Sequence, residues 1–172
     1  MGESWFYLKA KFPDERSAAR AEKIARAVLK ELAEFHDDWQ KIRKERSIPV
    51  KKRHEELLKK HPLVAELIKL PEPPDDDDAM NYLAGECEMH KDFDLEREEN
   101  TIYLQCLVWH LASWDNVAEF FYKLGASWVG WLNEEWLEDC FALIETIGRI
   151  LPPPKERLPD DRLDALAVAL SV

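Results

Sequence analysis

The pattern of apolar and polar residues along the chain predicts four strands. Residues 4–12 alternate with a period of two, which is typical of a strand with one buried face. Its two faces carry Phe6, Leu8, Ala10 and Phe12 on one side, and Trp5, Tyr7, Lys9 and Lys11 on the other. Further strands are predicted at about 82–93, 101–111 and 127–132, and the polar segment 95–100 is expected to form the turn between the second and the third.

Apolar residues at helical spacing predict the remaining elements. The predicted helices span about 14–46, 50–69 (interrupted at Pro62), 113–124, 134–151 and 160–171. Ser113 and Asn133 are expected to be N-caps of the third and fourth of these helices, because their side chains can accept hydrogen bonds from the first turn. The segment 71–78, PEPPDDDD, is predicted to be a rigid and highly charged loop.

The order of these elements predicts one α+β domain spanning residues 1–172. A hairpin-linked pair of strands between two strand–helix units matches the ferredoxin-like β-α-β-β-α-β arrangement, with a four-stranded antiparallel sheet. Right-handed crossovers would place strands one and three at the centre and both core helices on one face. The stretch 50–69 is then an accessory helical insertion after the first helix, and two additional helices follow the core at its C-terminal end.

The composition limits the kinds of binding partner and the cellular compartment that we expect for this chain. The formal net charge of −11 argues against binding nucleic acid or an anionic membrane by bulk electrostatics, and it permits a basic protein partner. The three cysteines have no CxxC spacing and no signal peptide is visible, so we expect a protein of the reducing cytoplasm. No apolar stretch approaches the roughly 18 residues needed to cross a bilayer, so no membrane contact is expected.

The most informative candidate site lies on the predicted central strands. If the apolar sides of these strands face the helices, the opposite face carries aromatic and basic side chains, as in modules that stack RNA bases. The candidate binding residues are Trp5, Tyr7, Lys9, Lys11, Tyr103, Gln105 and Trp109. Two other interpretations compete with nucleic-acid binding. The face could be a surface that binds a ligand or a protein, or the additional helices or a second subunit could cover it and make it part of a core.

No residue pattern indicates catalysis or metal binding. Cys87 and His90 would point to opposite faces of a strand, while Cys106 and His110 would be about 13 Å apart. GxSxG, HExxH and glycine-rich phosphate loops are absent from the sequence. We therefore predict no catalytic residues, no metal and no cofactor, and nothing in the sequence requires an enzyme.

Three hypotheses about function remain. The first is a protein-binding module, of the inhibitor or immunity type, that neutralises a basic nuclease, toxin or DNA-binding complex, with self-association as a related possibility. The second is an RNA- or nucleotide-binding module that uses the aromatic sheet face. The third is an enzyme that uses His90 or His110 as an acid or base. The net charge and the seven tryptophans favour the first.

Overall fold

The computed structural model describes residues 5–42, 45, 47–70, 93–107, 114–134, 139–155 and 157–170. These ranges contain six helices and five strands. The helices are α1 (Glu15–Ile42), α2 (Val50–Lys60), α3 (Pro62–Leu67), α4 (Trp114–Lys123), α5 (Cys140–Ile147) and α6 (Asp160–Ala169). The strands are β1 (Trp5–Lys11), β2 (Phe93–Glu98), β3 (Thr101–Leu107), β4 (Trp128–Glu134) and β5 (Arg149–Leu151).

The five strands form a single antiparallel sheet in the order β2-β3-β1-β4-β5. The fold is therefore α+β, as predicted, but the prediction of four strands is wrong. The extra strand is β5, which pairs with β4 where the sequence predicts the end of a helix. The helix stops earlier because Gly148 adopts an extended conformation and lets the chain turn back onto the sheet.

Strand β2 also departs from the prediction, because it occupies most of the segment expected to be a turn. Leu95 is buried opposite Leu104, whereas Glu96, Arg97 and Glu98 are exposed, as is common on an edge strand. The turn itself is Glu99–Asn100, with Glu99 in the left-handed region at φ 54°. The predicted strand 82–93 lies, apart from Phe93, outside the described residues, and so does the loop 71–78.

The predicted start of the helix 134–151 is wrong as well. Asn133 lies in β4 opposite Phe6, and its amide donates to the carbonyl oxygen of Trp5 at 3.2 Å instead of capping a helix. The helix α5 begins at Cys140, after Asp139 in the left-handed region. The other predicted cap, Ser113, lies outside the described residues.

One face of the sheet, called the inner face below, forms the main core. Helix α1 packs against β2 and β3, while α4 packs against β1, β4 and β5. The inner-face residues predicted to meet these helices are buried wherever the structure describes them: Phe6, Leu8, Ala10, Phe12, Ile102, Leu104 and Cys106. The outer face is the opposite one, which carries Tyr7 and Tyr103.

The accessory helices divide between the two sides of the molecule. Helices α3 and α6 pack against α1, and α2 packs against both α1 and α3. The side chain of Glu31 on α1 accepts a hydrogen bond from the N–H of Val64 at 2.7 Å, which satisfies a donor in the first turn of α3. Only α5 among the described helices packs on the outer face, against β1, β4 and β5.

Helix α1 also contacts β2, which lies at the edge of the sheet formed by the described strands. Arg26 donates a hydrogen bond to the backbone carbonyl of Leu95. Arg97, on the strand itself, pairs with Glu22 at 3.3 Å. These contacts tie the edge strand to the helix behind it.

Candidate functional site

The predicted binding residues that the structure describes lie together on the outer face. In the β1–β3 ladder, Tyr7 is opposite Gln105 and Lys9 is opposite Tyr103. Tyr7 is buried, whereas the others are partly exposed: Trp5, Lys9, Lys11, Tyr103 and Gln105. Trp109 lies outside the described residues.

Helix α5 covers the part of the outer face formed by β1 and β4. It buries a small second core, which consists of Tyr7, Leu132, Cys140 and Ile144. Gly130 of β4 permits this contact, since a Cβ there would lie 2.8 Å from Cγ2 of Ile144. Coverage by an additional helix, one of the interpretations of the aromatic face, therefore holds for this part of the sheet.

The aromatic ring of Phe141 marks where that coverage ends. Its centroid lies 5.5 Å from that of Tyr7 and 5.1 Å from that of Tyr103, both in edge-to-face geometry. Burial and a hydrogen bond with Cys140 raise the pKa of Tyr7 to about 12. Burial and the charges of nearby glutamates likewise raise the pKa of Tyr103. Both phenols are therefore neutral near pH 7, when they can donate or accept hydrogen bonds but do not act as bases.

The two lysines of β1 are engaged within the protein. Glu145, one turn after Phe141, forms an ion pair with Lys11 and lies 3.8 Å from Nζ of Lys9. The hydrogen bond from Lys11, together with the charges of both lysines, lowers the pKa of Glu145. The lysines also lie over aromatic rings, Lys9 over Tyr103 at 5.8 Å and Lys11 over Trp128 at 4.7 Å. The single carboxylate of Glu145 thus offsets part of the positive charge of the two lysines near the C-terminal end of α5.

The outer face of β2 and β3 carries a row of acidic residues that the sequence analysis did not identify. Asp94, Glu96 and Glu98 are exposed and lie opposite Gln105, Tyr103 and Thr101. The described residues supply no ion-pair partner for any of the three acids. We call these six residues the β2–β3 surface. Its sequence signal is the acidic residue at every second position from 94 to 98, which the assignment of 95–100 to a turn concealed.

A second cluster of polar residues lies where the C-terminal half of α1 meets α2. A cavity of about 330 Å³ is lined there by Asp38, Lys41, Ile42, Glu45, Ile48, Arg53, Glu56, Leu57 and Lys60. Arg53 is 2% exposed and donates to the carbonyl oxygen of Ile42 at 3.1 Å. These lining residues include no hydroxyl or thiol nucleophile.

Beside this cavity, the buried imidazole of His61 lies 2.7 Å from the carboxylate of Asp38, which also pairs with Lys60 at 3.1 Å. Burial alone would raise the pKa of Asp38, but the hydrogen bonds from His61 and Lys60, with their charges, outweigh it and lower the pKa. His61 also contacts the ring of Phe35, 5.6 Å away. The contact between His61 and Asp38 therefore holds the connection between α2 and α3 against α1, and we assign it a structural role.

Comparison with models of protein families, with curated proteins and with solved structures gives no match to this chain. Within the described ranges, none of the helices has both the length and the apolarity required to cross a membrane. The same ranges contain no group of three or more histidine, cysteine or acidic side chains placed to hold a metal ion. Cys87, His90 and His110 lie outside them. The geometry of the β2–β3 surface is thus the main source of information about function.

Proposed function

We propose that this chain is an acidic protein-binding module that engages a basic protein partner through the β2–β3 surface. The observation that carries the proposal is the exposed row of Asp94, Glu96 and Glu98, which has no ion-pair partner among the described residues, beside Tyr103 on a face whose other half is covered by α5. Exposed carboxylates steer an oppositely charged partner into contact, and a partly buried tyrosine supplies an anchor that aligns it. The net charge of −11 extends this attraction over the whole molecule.

On this proposal the protein acts in the cytoplasm as an inhibitor or immunity-type protein. Its basic partner, a nuclease, toxin or DNA-binding complex, would be neutralised by occupation of its anion-binding surface. We further infer that β1, α1, β2, β3, α4 and β4 form a ferredoxin-like unit, with β5 added at its edge. The strand order β2-β3-β1-β4 and the packing of α1 and α4 against the same face support this inference.

The alternative of RNA or nucleotide binding receives less support from the site. Tyr7 is buried beneath α5, and Glu145 pairs with Lys11 and lies 3.8 Å from Lys9, so that it offsets part of their positive charge. A nucleic acid would therefore meet an acidic surface beside Tyr103, where its phosphates are repelled. Tryptophan fluorescence during titration with single-stranded RNA separates the two functions, because a stacking platform requires quenching that saturates.

The test of the proposal is affinity capture from a lysate of the source cells, followed by identification of the captured proteins. The triple variant Asp94→Lys, Glu96→Lys, Glu98→Lys should lose a partner that wild type retains at low salt and releases at high salt. A matched control makes the same change of charge elsewhere, at the exposed residues Glu34, Glu119 and Asp161. The proposal is wrong if both variants capture the partner equally, or if wild type captures no salt-sensitive partner.

A further inference from the structure

The β2–β3 surface has the dimensions of a site for one helix. Helix α5 occupies β1, β4 and β5 but leaves β2 and β3 uncovered by any described helix on the outer face. Two neighbouring strands present a floor about 10 Å wide, which equals the width of one helix. The six residues of β2 extend over about 20 Å, the length of roughly 13 helical residues.

Helix α5 shows how this sheet holds a helix. Its apolar side meets the sheet through Phe141, between Tyr7 and Tyr103, while Glu145 on the same side pairs with the lysines of β1. Aromatic contact and opposite charge thus act together at one boundary of the helix. The adjoining half of the outer face repeats the arrangement with reversed charge, since Tyr103 has Glu96 opposite it on β2, whereas on β1 it has Lys9.

The spacing of the carboxylates also corresponds to that of a helix. Acidic side chains two residues apart on a strand are about 7 Å apart, and residues four apart on a helix are separated by about 6 Å along its axis. Lysine or arginine at positions i, i+4 and i+8 of a helix aligned with β2 would therefore reach Glu98, Glu96 and Asp94 in turn.

A strand added to the edge of β2 is the other way in which a peptide could use this part of the sheet. The edge is already engaged, because Arg26 binds the carbonyl of Leu95 and Glu22 holds Arg97 against α1. A helix on the outer face leaves both contacts intact.

We propose that the basic partner presents an amphipathic helix, which lies on the β2–β3 surface beside α5 with its apolar side on Tyr103 and Phe141 and its basic residues on Asp94, Glu96 and Glu98. The inference rests on the proposed function and specifies the part of the partner that is recognised. It excludes recognition by net charge alone, since a basic segment without a continuous apolar side would miss the aromatic rings.

The probe is a synthetic 14-residue peptide with lysine at three positions four residues apart, leucine on the adjacent side and alanine elsewhere. One control peptide has the same composition in scrambled order, and another has a central proline that breaks the helix. Titration calorimetry at low salt should show at least tenfold tighter binding of the amphipathic peptide than of either control. Glu96→Lys and Tyr103→Ala should each weaken that binding at least fivefold. The control variant with lysine in place of Glu34, Glu119 and Asp161 should bind the peptide like wild type.

Circular dichroism verifies that each variant is folded, and Tyr103→Phe, which keeps the ring, should bind like wild type. Equal binding of the scrambled or proline peptide would overturn the helix inference. The helix inference would also be overturned if the amphipathic peptide did not bind. If, in the lysate experiment, the acidic triple variant had nevertheless lost the partner that wild type captures, the proposed function would stand. Failure of both the peptide and the lysate experiment rejects the two proposals together.

Discussion

Tyr122 connects helix α4 to the β4–β5 edge of the sheet. Its hydroxyl donates to the carbonyl oxygen of Leu151 at 2.6 Å and accepts a hydrogen bond from the N–H of Val129 at 3.1 Å. Val129 and Leu151 are opposite each other in the ladder, so that this hydroxyl bridges the two strands. The side chain is 1% exposed. The substitution Tyr122→Phe removes the bridge and keeps the ring.

The expected cost follows from the groups left behind. A buried hydrogen bond between neutral groups contributes about 1 kcal/mol net, and a buried donor or acceptor that loses its partner costs about 1–3 kcal/mol. Because the variant leaves one buried donor and one buried acceptor without the hydroxyl, we expect the free energy of unfolding to fall by about 2–4 kcal/mol. That is a substantial share of the roughly 5–15 kcal/mol typical of a domain.

Urea unfolding followed by far-UV circular dichroism measures this loss as a lower midpoint with an unchanged slope. The matched control is Tyr103→Phe, because the hydroxyl of Tyr103 has no hydrogen-bond partner in the described part of the chain. That control should lose less than about 0.5 kcal/mol. If Tyr122→Phe lost no more than Tyr103→Phe, the hydroxyl bridge would not hold β5 to the sheet.

Two further predictions concern Gly148 at the end of α5 and the contact between Asp38 and His61. A Cβ at Gly148 would lie 2.5 Å from the carbonyl oxygen of Ile144 and 2.9 Å from that of Trp131, so Gly148→Ala should displace α5 and lower the free energy of unfolding by about 1–3 kcal/mol. An unchanged urea midpoint would contradict this packing. Because the pKa of Asp38 is lowered, its carboxylate stabilises the fold above the unfolded-state pKa of about 4, and this contribution is lost as the pH falls through the folded-state value. Asp38→Asn should therefore be less stable than wild type at neutral pH, with a difference that shrinks on acidification; a constant difference would refute the assignment.

The parts of the fold that the sequence predicts are those with a long and unambiguous period. Strand β1 alternates over its whole length, and α1 carries its apolar stripe over 28 residues. Strand β2 has one buried residue, Leu95, among six, so its alternation is hidden by the charges around it. Strand β5 continues the helical spacing of Ile144, and it is distinguished from a helix by the extended conformation of Gly148, by its pairing with β4 and by the bridge from Tyr122.

The candidate site was predictable to the same extent. Which side chains of β1 and β3 share the outer face follows from the period of two, so Tyr103 and Gln105 were identified correctly as neighbours of Tyr7 and Lys9. The burial of Tyr7 depends on Phe141, more than 130 residues away in sequence, and no local pattern reveals it. The acidic row was missed because its position depends on the pairing of β2 with β3.

The engagement of Leu95 and Arg97 by α1 has a consequence for how this protein behaves when it is concentrated. An unguarded edge strand is a template on which further chains can add, and repeated addition leads to fibrils. At one edge, Arg26 occupies the carbonyl of Leu95, and four of the six residues of β2 are charged. At the other edge, β5 has only three residues and is followed directly by Pro152, Pro153 and Pro154. In the part of the chain that the structure describes, both edges of the sheet therefore disfavour the addition of further strands, and copies of the protein are not expected to join edge to edge when it is concentrated.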